Sequence, residues 1–311
     1  MREDSLTDSR QRQQLIVKHI NKTSISCTSM VVTVFGDVVS QHGGWIWLGS
    51  LINALGPFGF NERLVRTAVY RLLKNDWLKV NKVGRRSYYC FTETAKGHYD
   101  KAARRIYTSE QPDWDGSWIL VAPLFIAEEK KEVFRKSLIW QGFNTLVSGM
   151  FAHPSSDRTS LDEIIYEQDL IGDVAVLSAK TEDFHSQAAI KKLVKNRWNL
   201  SELEVFYNEF LNFYRPLCQQ VAAKRPNASD SFLLRALLIH DYRRILLRDP
   251  DLPEAMLPHG WVGHEAYDLV QRVYKVLVNC SMDYIQQGLE NAQGALPKAN
   301  SLFFTRFGGL D

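Results

Sequence analysis

The sequence predicts an α+β protein in three domains behind a short lead, and three observations predict it. A basic amphipathic stretch runs into two short strand patterns between Asn61 and Phe91. Strand and helix patterns then alternate from about Trp118 to Ala179. From about Phe184 onward only helical periodicity remains. The expected parts are a flexible lead or marginal helix at 1–22, an N-terminal domain at 23–109, a central domain at 110–183 and an all-helical domain at 184–311.

Bulk properties narrow the class. The 311 residues, 45% of them hydrophobic, can bury more than one core. No apolar run reaches the roughly 20 residues that cross a bilayer, and the opening MREDSLTDSR lacks the apolar stretch of a signal peptide. A soluble cytoplasmic protein with no membrane partner is expected. Cys27, Cys90, Cys218 and Cys280 are far apart, without CxxC or Cys/His ligand spacing, which fits reduced core thiols and no metal site. Charge is unevenly divided: residues 1–110 carry 17 Lys and Arg against 9 Asp and Glu, whereas 111–311 carry 21 against 26. A basic N-terminal third on an acidic body suits a module that meets phosphates.

In chain order, Val31, Val34, Phe35 and Val38 keep helical spacing from about Ser24, and Gly43-Gly44 can end that helix. Leu48, Leu51, Ile52 and Leu55 repeat the spacing, with Ser50 and Asn53 expected outward. Gly56 to Phe60 breaks the chain, and Asn61 and Glu62 supply an N-cap and a first-turn acid for a helix from Glu62 to Lys74. That helix carries an apolar stripe of Leu64, Val65, Ala68, Val69, Leu72 and Leu73. Its other stripe is Arg63, Arg66, Thr67, Tyr70, Arg71 and Lys74. Leu78, Val80, Tyr89 and Phe91 are the apolar positions of a hairpin whose tip is Gly84-Arg85-Arg86. Two helices, a short turn and a basic hairpin make a winged helix-turn-helix. A helix with Lys96, Lys101, Arg104 and Arg105 follows, to about Ile106.

Trp118 to Ala122 reads as a buried strand, Glu128 to Gln141 as a helix stopped by Gly142, and Phe143 to Phe151 as a strand or pair. A loop at His153-Pro154-Ser155-Ser156, a helix from Leu161 to Leu170 and a strand from Asp173 to Ala179 complete a small ferredoxin-like α/β sandwich. Beyond it, helices are expected at Ala188 to Arg197, at Glu202 to Tyr214 with Pro216 after it, and at His264 to Gly288. Ser231 to Arg248, apolar almost all round through Leu247, is expected to be a central buried helix ended by Asp249-Pro250. The apolar segment from Ser301 to Phe307 must pack against something.

The candidate nucleic-acid residues are Arg63, Arg66, Thr67, Tyr70, Arg71 and Lys74 on the helix, with Arg85 and Arg86 at the hairpin tip. Arginine presents paired donors to guanine or phosphate, and threonine a methyl to thymine. Hairpin arginines reach a minor groove or backbone. The plain alternative is a solvated helix face and a basic hairpin.

Eight blocks then point one way. They are Ile46 to Leu51; Gly59 to Arg63 with Val65 to Ala68; Gly84 to Ser87; Gln111-Pro112 with Trp114 to Gly116; Leu138 to Phe143; Leu238 to His240 with Tyr242 to Arg244; Asp249-Pro250 with Leu252-Pro253; and Arg306 to Leu310. In this order they make the chain resemble the phenylacetic acid degradation repressors, the PaaX family, from about Ser24 onward. The resemblance implies a homodimeric repressor with a winged-helix head, a ferredoxin-like central domain similar to a CRISPR-associated nuclease, and a helical C-terminal domain. It further implies binding to palindromic operators on double-stranded DNA, and release by phenylacetyl-coenzyme A or a related acyl-coenzyme A as effector, with no cofactor.

An acyl-coenzyme A pocket wants arginines beside aromatic side chains. Candidates are Trp140, Phe143, His240, Tyr242, Arg243, Arg244 and Trp261, although salt bridges within the fold and plain core packing explain each singly. The competing class is a metal-dependent nuclease or phosphodiesterase on the central domain. It wants a carboxylate at the end of the first strand, where Val121-Ala122-Pro123 stands; Asp113 and Asp115 precede the strand instead. His240 and Asp241, adjacent on a helix, are expected to diverge and to form no triad.

Overall fold

The computed structural model describes residues 14–108, 114–154 and 158–310. Residues 1–13 of the lead, Gln111-Pro112, Asp113 and Ser155-Ser156 lie outside the described residues. Contacts divide the chain into two compact units: Met1–Ser109, Phe210–Arg243 and Ala266–Asp311 form the first, Glu110–Glu209 and Arg244–Glu265 the second. The helical segment expected as one domain at 184–311 is thus shared between them.

The first unit opens with α1 (Gln14–Thr23). Ile16 and Ile20 are buried, and His19 Nε2 lies 2.6 Å from Asp241 Oδ2, its ring stacked on Phe213. This stretch of the expected flexible lead is therefore a docked helix, held by two apolar side chains and one contact to a buried carboxylate. Next come α2 (Cys27–Asp37), β1 (Ile46–Trp47), α3 (Leu48–Leu55), α4 (Glu62–Lys74), β2 (Leu78–Val83), β3 (Arg86–Phe91) and α5 (Glu93–Tyr107). Ser26, Asn61 and Thr92 each cap the helix that follows, accepting a first-turn backbone N–H. The three strands form an antiparallel sheet in the order β1, β3, β2. Two expectations fail here. Ser50 is buried, because its hydroxyl accepts the Glu290 N–H at 3.0 Å, and Val80 is exposed, because β2 is an edge strand. Gly36 brings α2 against α5: a Cβ there would overlap the Tyr99 ring.

In the second unit, β4 (Ser117–Pro123), α6 (Glu128–Trp140), β5 (Asn144–Val147), β6 (Met150–His153), α7 (Arg158–Glu167) and β7 (Val174–Lys180) follow in sequence. The antiparallel sheet runs β5, β6, β4, β7. Val121, Phe134, Leu138, Phe143, Phe151 and Leu161 build its core. Gly142, at φ +86°, turns the chain after α6 where a Cβ would meet the Pro250 carbonyl at 2.7 Å, so only glycine fits. His153 closes β6 rather than opening a loop, its Nε2 donating to the same carbonyl at 2.6 Å.

The remaining helices are α8 (Phe184–Arg197), α9 (Leu200–Ala223), α10 (Ala228–Leu246), α11 (Val262–Gly288) and α12 (Ser301–Phe304), with a short strand pair, β8 (Glu290–Asn291) and β9 (Gly294–Ala295), before the last. Pro216 lies inside α9 instead of ending it. An interior proline costs about 3 kcal/mol. Tyr214, Leu217 and Val221 are buried around it, each large side chain contributing about 1.5–3 kcal/mol, and so carry the helix through. Helix α10 is the buried centre foreseen, buried without a break from Asp230 to Arg243, although Leu247 beyond it is 42% exposed. Of the four cysteines, all unpaired, only Cys90 is fully buried.

The first unit closes on one carboxylate. Asp37, at the C-terminal end of α2, is completely buried; Arg235 Nε donates to its Oδ2 and Arg306 Nη1 to its Oδ1, both at 2.8 Å. Tyr107 and Tyr274 donate their hydroxyls to the same Oδ1 at 2.6 and 2.9 Å. Arg306 also lies 3.9 Å from the Tyr107 ring centre, and Arg235 reaches the Ser281 hydroxyl. Burial pushes the Asp37 pKa up, but the two guanidinium groups outweigh it and hold the carboxyl below its ordinary value. A group whose folded pKa is depressed gives its full stabilisation above the unfolded value and loses it as pH falls toward the folded one. Asp37→Asn is therefore expected to cost about 3–5 kcal/mol at pH 7 by leaving buried cations unpaired. In urea melts the gap between wild type and variant should narrow below about pH 4.

Candidate nucleic-acid interface

Helix α4 is built to hold one face outward. Asn61 caps it, accepting the Leu64 N–H at 2.9 Å, and Val65, Ala68, Val69 and Leu72 are buried. The rotation of the helix is thereby set. Arg63, Arg66, Thr67, Tyr70, Arg71 and Lys74 are all exposed, as the spacing predicted. Leu64 departs from its expected place: at 47% exposure it belongs to the outward face and adds apolar surface to it, as does Tyr70 at 60%. Sequence spacing put Leu64 on the apolar stripe, but the packing of α2 and α3 against α4 covers Val65, Ala68, Val69 and Leu72 and leaves Leu64 outside.

The cations on this face are unequal. Arg66 is committed to Glu62, its Nε donating to Oε1 at 2.8 Å, one turn away on the exposed surface. Such a pair is worth under about 1 kcal/mol and yields readily to a phosphate. Thr67 donates its hydroxyl to the Arg63 carbonyl at 2.8 Å, which leaves its methyl free for an apolar contact. Arg63, Arg71, Lys74 and Arg85 have no acidic partner among the described residues. Gly84 turns the hairpin at φ +60° with open space around it, so Arg85 stands at a solvent-facing tip. Arg86 does not share that tip. It pairs with Val83 in the ladder, its guanidinium lies 4.1 Å from the Trp47 ring centre, and Nη1 donates to Glu290 Oε2 at 2.8 Å.

The residues considered for an effector divide between the two units. In the first unit His240, Tyr242 and Arg243 are buried: Tyr242 packs on Phe210 and Arg243 Nη2 donates to the Ser29 carbonyl at 3.2 Å. In the second, Phe143 is core, Trp261 packs edge-on against Tyr207, Arg244 is half-buried and Trp140 is 72% exposed. A recess of about 140 Å³ in the first unit is lined by Val278, Asn279, Met282, Lys298, Phe303 and Leu310. It is smaller than the roughly 300–1,000 Å³ of ligand clefts.

His240 and Asp241 do meet, contrary to expectation. His240 Nδ1 is 3.2 Å from Asp241 Oδ1, and Nε2 is 3.0 Å from Ser29 Oγ. The ring folds back along its own helix. Because it is wholly buried and Arg243 Nη2 also donates to Ser29 Oγ at 3.0 Å, this chain joins α2 to α10 rather than facing a substrate. Asp115 is exposed, and the Ser117 backbone N–H, with Lys180, holds its carboxyl down at about 2. No group of three His, Cys, Asp or Glu is placed to hold a metal among the described residues.

Comparison with known proteins is specific. Three family models match in sequence order: PaaX-like protein at residues 26–95, the PaaX protein central Cas2-like domain at 111–191, and the PaaX-like protein C-terminal domain at 198–287. The transcriptional repressor PaaX of Escherichia coli (strain K12) is 37% identical over 294 residues, covering 94% of this chain and 93% of that protein. Among solved structures, the uncharacterized protein Rv0674 from Mycobacterium tuberculosis superposes with a TM-score of 0.52 at 21% identity, over 83% of this chain and 98% of that one. That likeness concerns the fold alone. Since the outward face of α4 depends on the helix being anchored at its start, Asn61→Ala is expected to lower stability by about 1 kcal/mol, read as a reduced urea midpoint with unchanged slope.

Proposed function

The chain belongs to the family of PaaX-like proteins, and from that premise we propose that it is a DNA-binding transcriptional repressor of genes for the catabolism of phenylacetate or a related aryl acid. The observation that carries this reading is the α4 face: six polar and basic side chains held outward by a buried opposite stripe. Helices α2, α3 and α4 with the β2–β3 hairpin act as a winged helix-turn-helix, α4 entering the major groove. There Arg63, Arg66 and Arg71 offer paired donors to guanine edges or phosphates, while Leu64 and the Thr67 methyl suit a thymine methyl. Arg85 meets the backbone or minor groove from the hairpin tip. Arg86 contributes by holding the hairpin rather than by reading bases.

The connection order of β4 to β7, with a helix after the first and third strands, supports a ferredoxin-like central fold. The protein works in the cytoplasm as a homodimer, one head on each half of an inverted repeat. An acyl-coenzyme A effector, phenylacetyl-coenzyme A first among candidates, favours a state of lower DNA affinity; only a difference in its affinity for the two states can drive release.

A gel-shift titration on a duplex from the chain's own upstream region tests the reading. Arg66→Gln with Arg71→Gln is expected to weaken the shift by tenfold or more, each base-reading guanidinium being worth about 1–3 kcal/mol. Binding to the upstream fragment no tighter than to random duplex at low ionic strength would remove the repressor assignment. Phenylacetyl-coenzyme A, unlike free phenylacetate, is expected to reverse the shift. Indifference to every acyl thioester would remove the effector alone.

A further inference from the structure

Residues 110–209 are acidic, with 10 Lys and Arg against 17 Asp and Glu, yet four of those cations fall within seven residues of α8: Lys191, Lys192, Lys195 and Arg197. From Phe184 to Ser201 the chain has no carboxylate. At 3.6 residues per turn, Lys191, Lys192 and Lys195 share an arc about 120° wide with Phe184, His185 and Ala188. All six are exposed, Phe184 by 77%, whereas Val194 on the other side is buried. None of the four cations has an acidic partner among the described residues.

Helix propensity does not explain this arrangement. Lys195 and Arg197 lie in the last turn, where cations complement the carbonyl end of a helix. Lys191 and Lys192 sit a turn earlier, and their spacings of four and three to Lys195 bring like charges together, which disfavours a helix with no carboxylate to relieve it. A polyanion supplies that relief. The outward face carries one large apolar side chain, Phe184, too little for a helix lying in a membrane surface. Lysine, a compact point charge on a flexible stem, suits phosphates without demanding a fixed geometry.

We propose that α8 is a second cationic surface that binds duplex phosphates without reading sequence, adding affinity to what the α4 face selects. This rests on the reading of the chain as a DNA-binding protein. Each lysine that neutralises a phosphate releases counterions and steepens the fall of affinity with salt.

The experiment uses the full chain, fluorescence anisotropy, and two duplexes of equal length, one from the upstream region and one random. The triple variant Lys191→Gln, Lys192→Gln, Lys195→Gln is compared with wild type and with Arg66→Gln/Arg71→Gln between about 50 and 200 mM KCl. Circular dichroism melts confirm that these surface variants fold. The triple variant is expected to flatten the plot of log K against log[KCl] by about 2–3. It should weaken both duplexes by the same factor and leave their ratio unchanged. An unchanged slope, with the α4 variant still impaired, overturns the α8 proposal and leaves the repressor reading standing. If neither variant alters DNA binding, the reading of the α4 face fails with it. Loss of binding to anionic phosphatidylserine vesicles in the triple variant, with the DNA slope unchanged, overturns the proposal in favour of a lipid surface.

Discussion

A single buried negative charge organises the first unit. Asp37 ends α2, and its carboxylate collects donors from α5, α10, α11 and the segment after α12. Two guanidinium groups and one carboxylate in a dry interior are tolerable only when every lone pair and most N–H groups are met. That condition adds a directional requirement that apolar packing lacks, since each hydrogen bond to the shared carboxylate demands both distance and angle. The position of α2 sets the floor on which α4 packs, so the presentation of the α4 face depends on groups nearly 200 and 270 residues further along.

The β2–β3 hairpin is held in a similar way. Arg86 sits between the Trp47 ring and Glu290, whose backbone N–H is in turn accepted by the buried Ser50 hydroxyl. The tip residue Arg85 inherits a fixed direction from its neighbour. The hairpin tip thus rests on contacts drawn from three separate parts of the chain, around Trp47, Ser50 and Glu290.

Much of this was legible in the sequence because it is local. The bounds of α4, its Asn61 cap, the outward basic stripe and the buried centre of α10 follow from periodicity and capping chemistry that operate within a few residues. The alternating strands and helices of the second unit were equally visible. What was not legible is what distance along the chain conceals. Ser50 looked like a surface serine until Glu290 approached it. Arg86 looked like a free tip until Trp47 and Glu290 claimed it. Pro216 read as a stop because a single proline speaks more loudly in sequence than the buried side chains that carry α9 past it. His240 and Asp241 were expected to part because helix geometry separates neighbours, but a flexible ring can fold back.

The late arrival of Arg306 has a consequence for biosynthesis. While the chain is still emerging from the ribosome, residues 27–107 can form their helices and hairpin, yet the Asp37 carboxylate has no guanidinium to meet until residues 235 and 306 have been made. The nascent head must wait, incompletely closed, through roughly 200 further rounds of peptide-bond formation. A ribosome stalled before Arg306 would display a fragment in which the buried Asp37 carboxylate still lacks one of its two guanidinium partners, so a truncated product would carry the cost of that unmet charge.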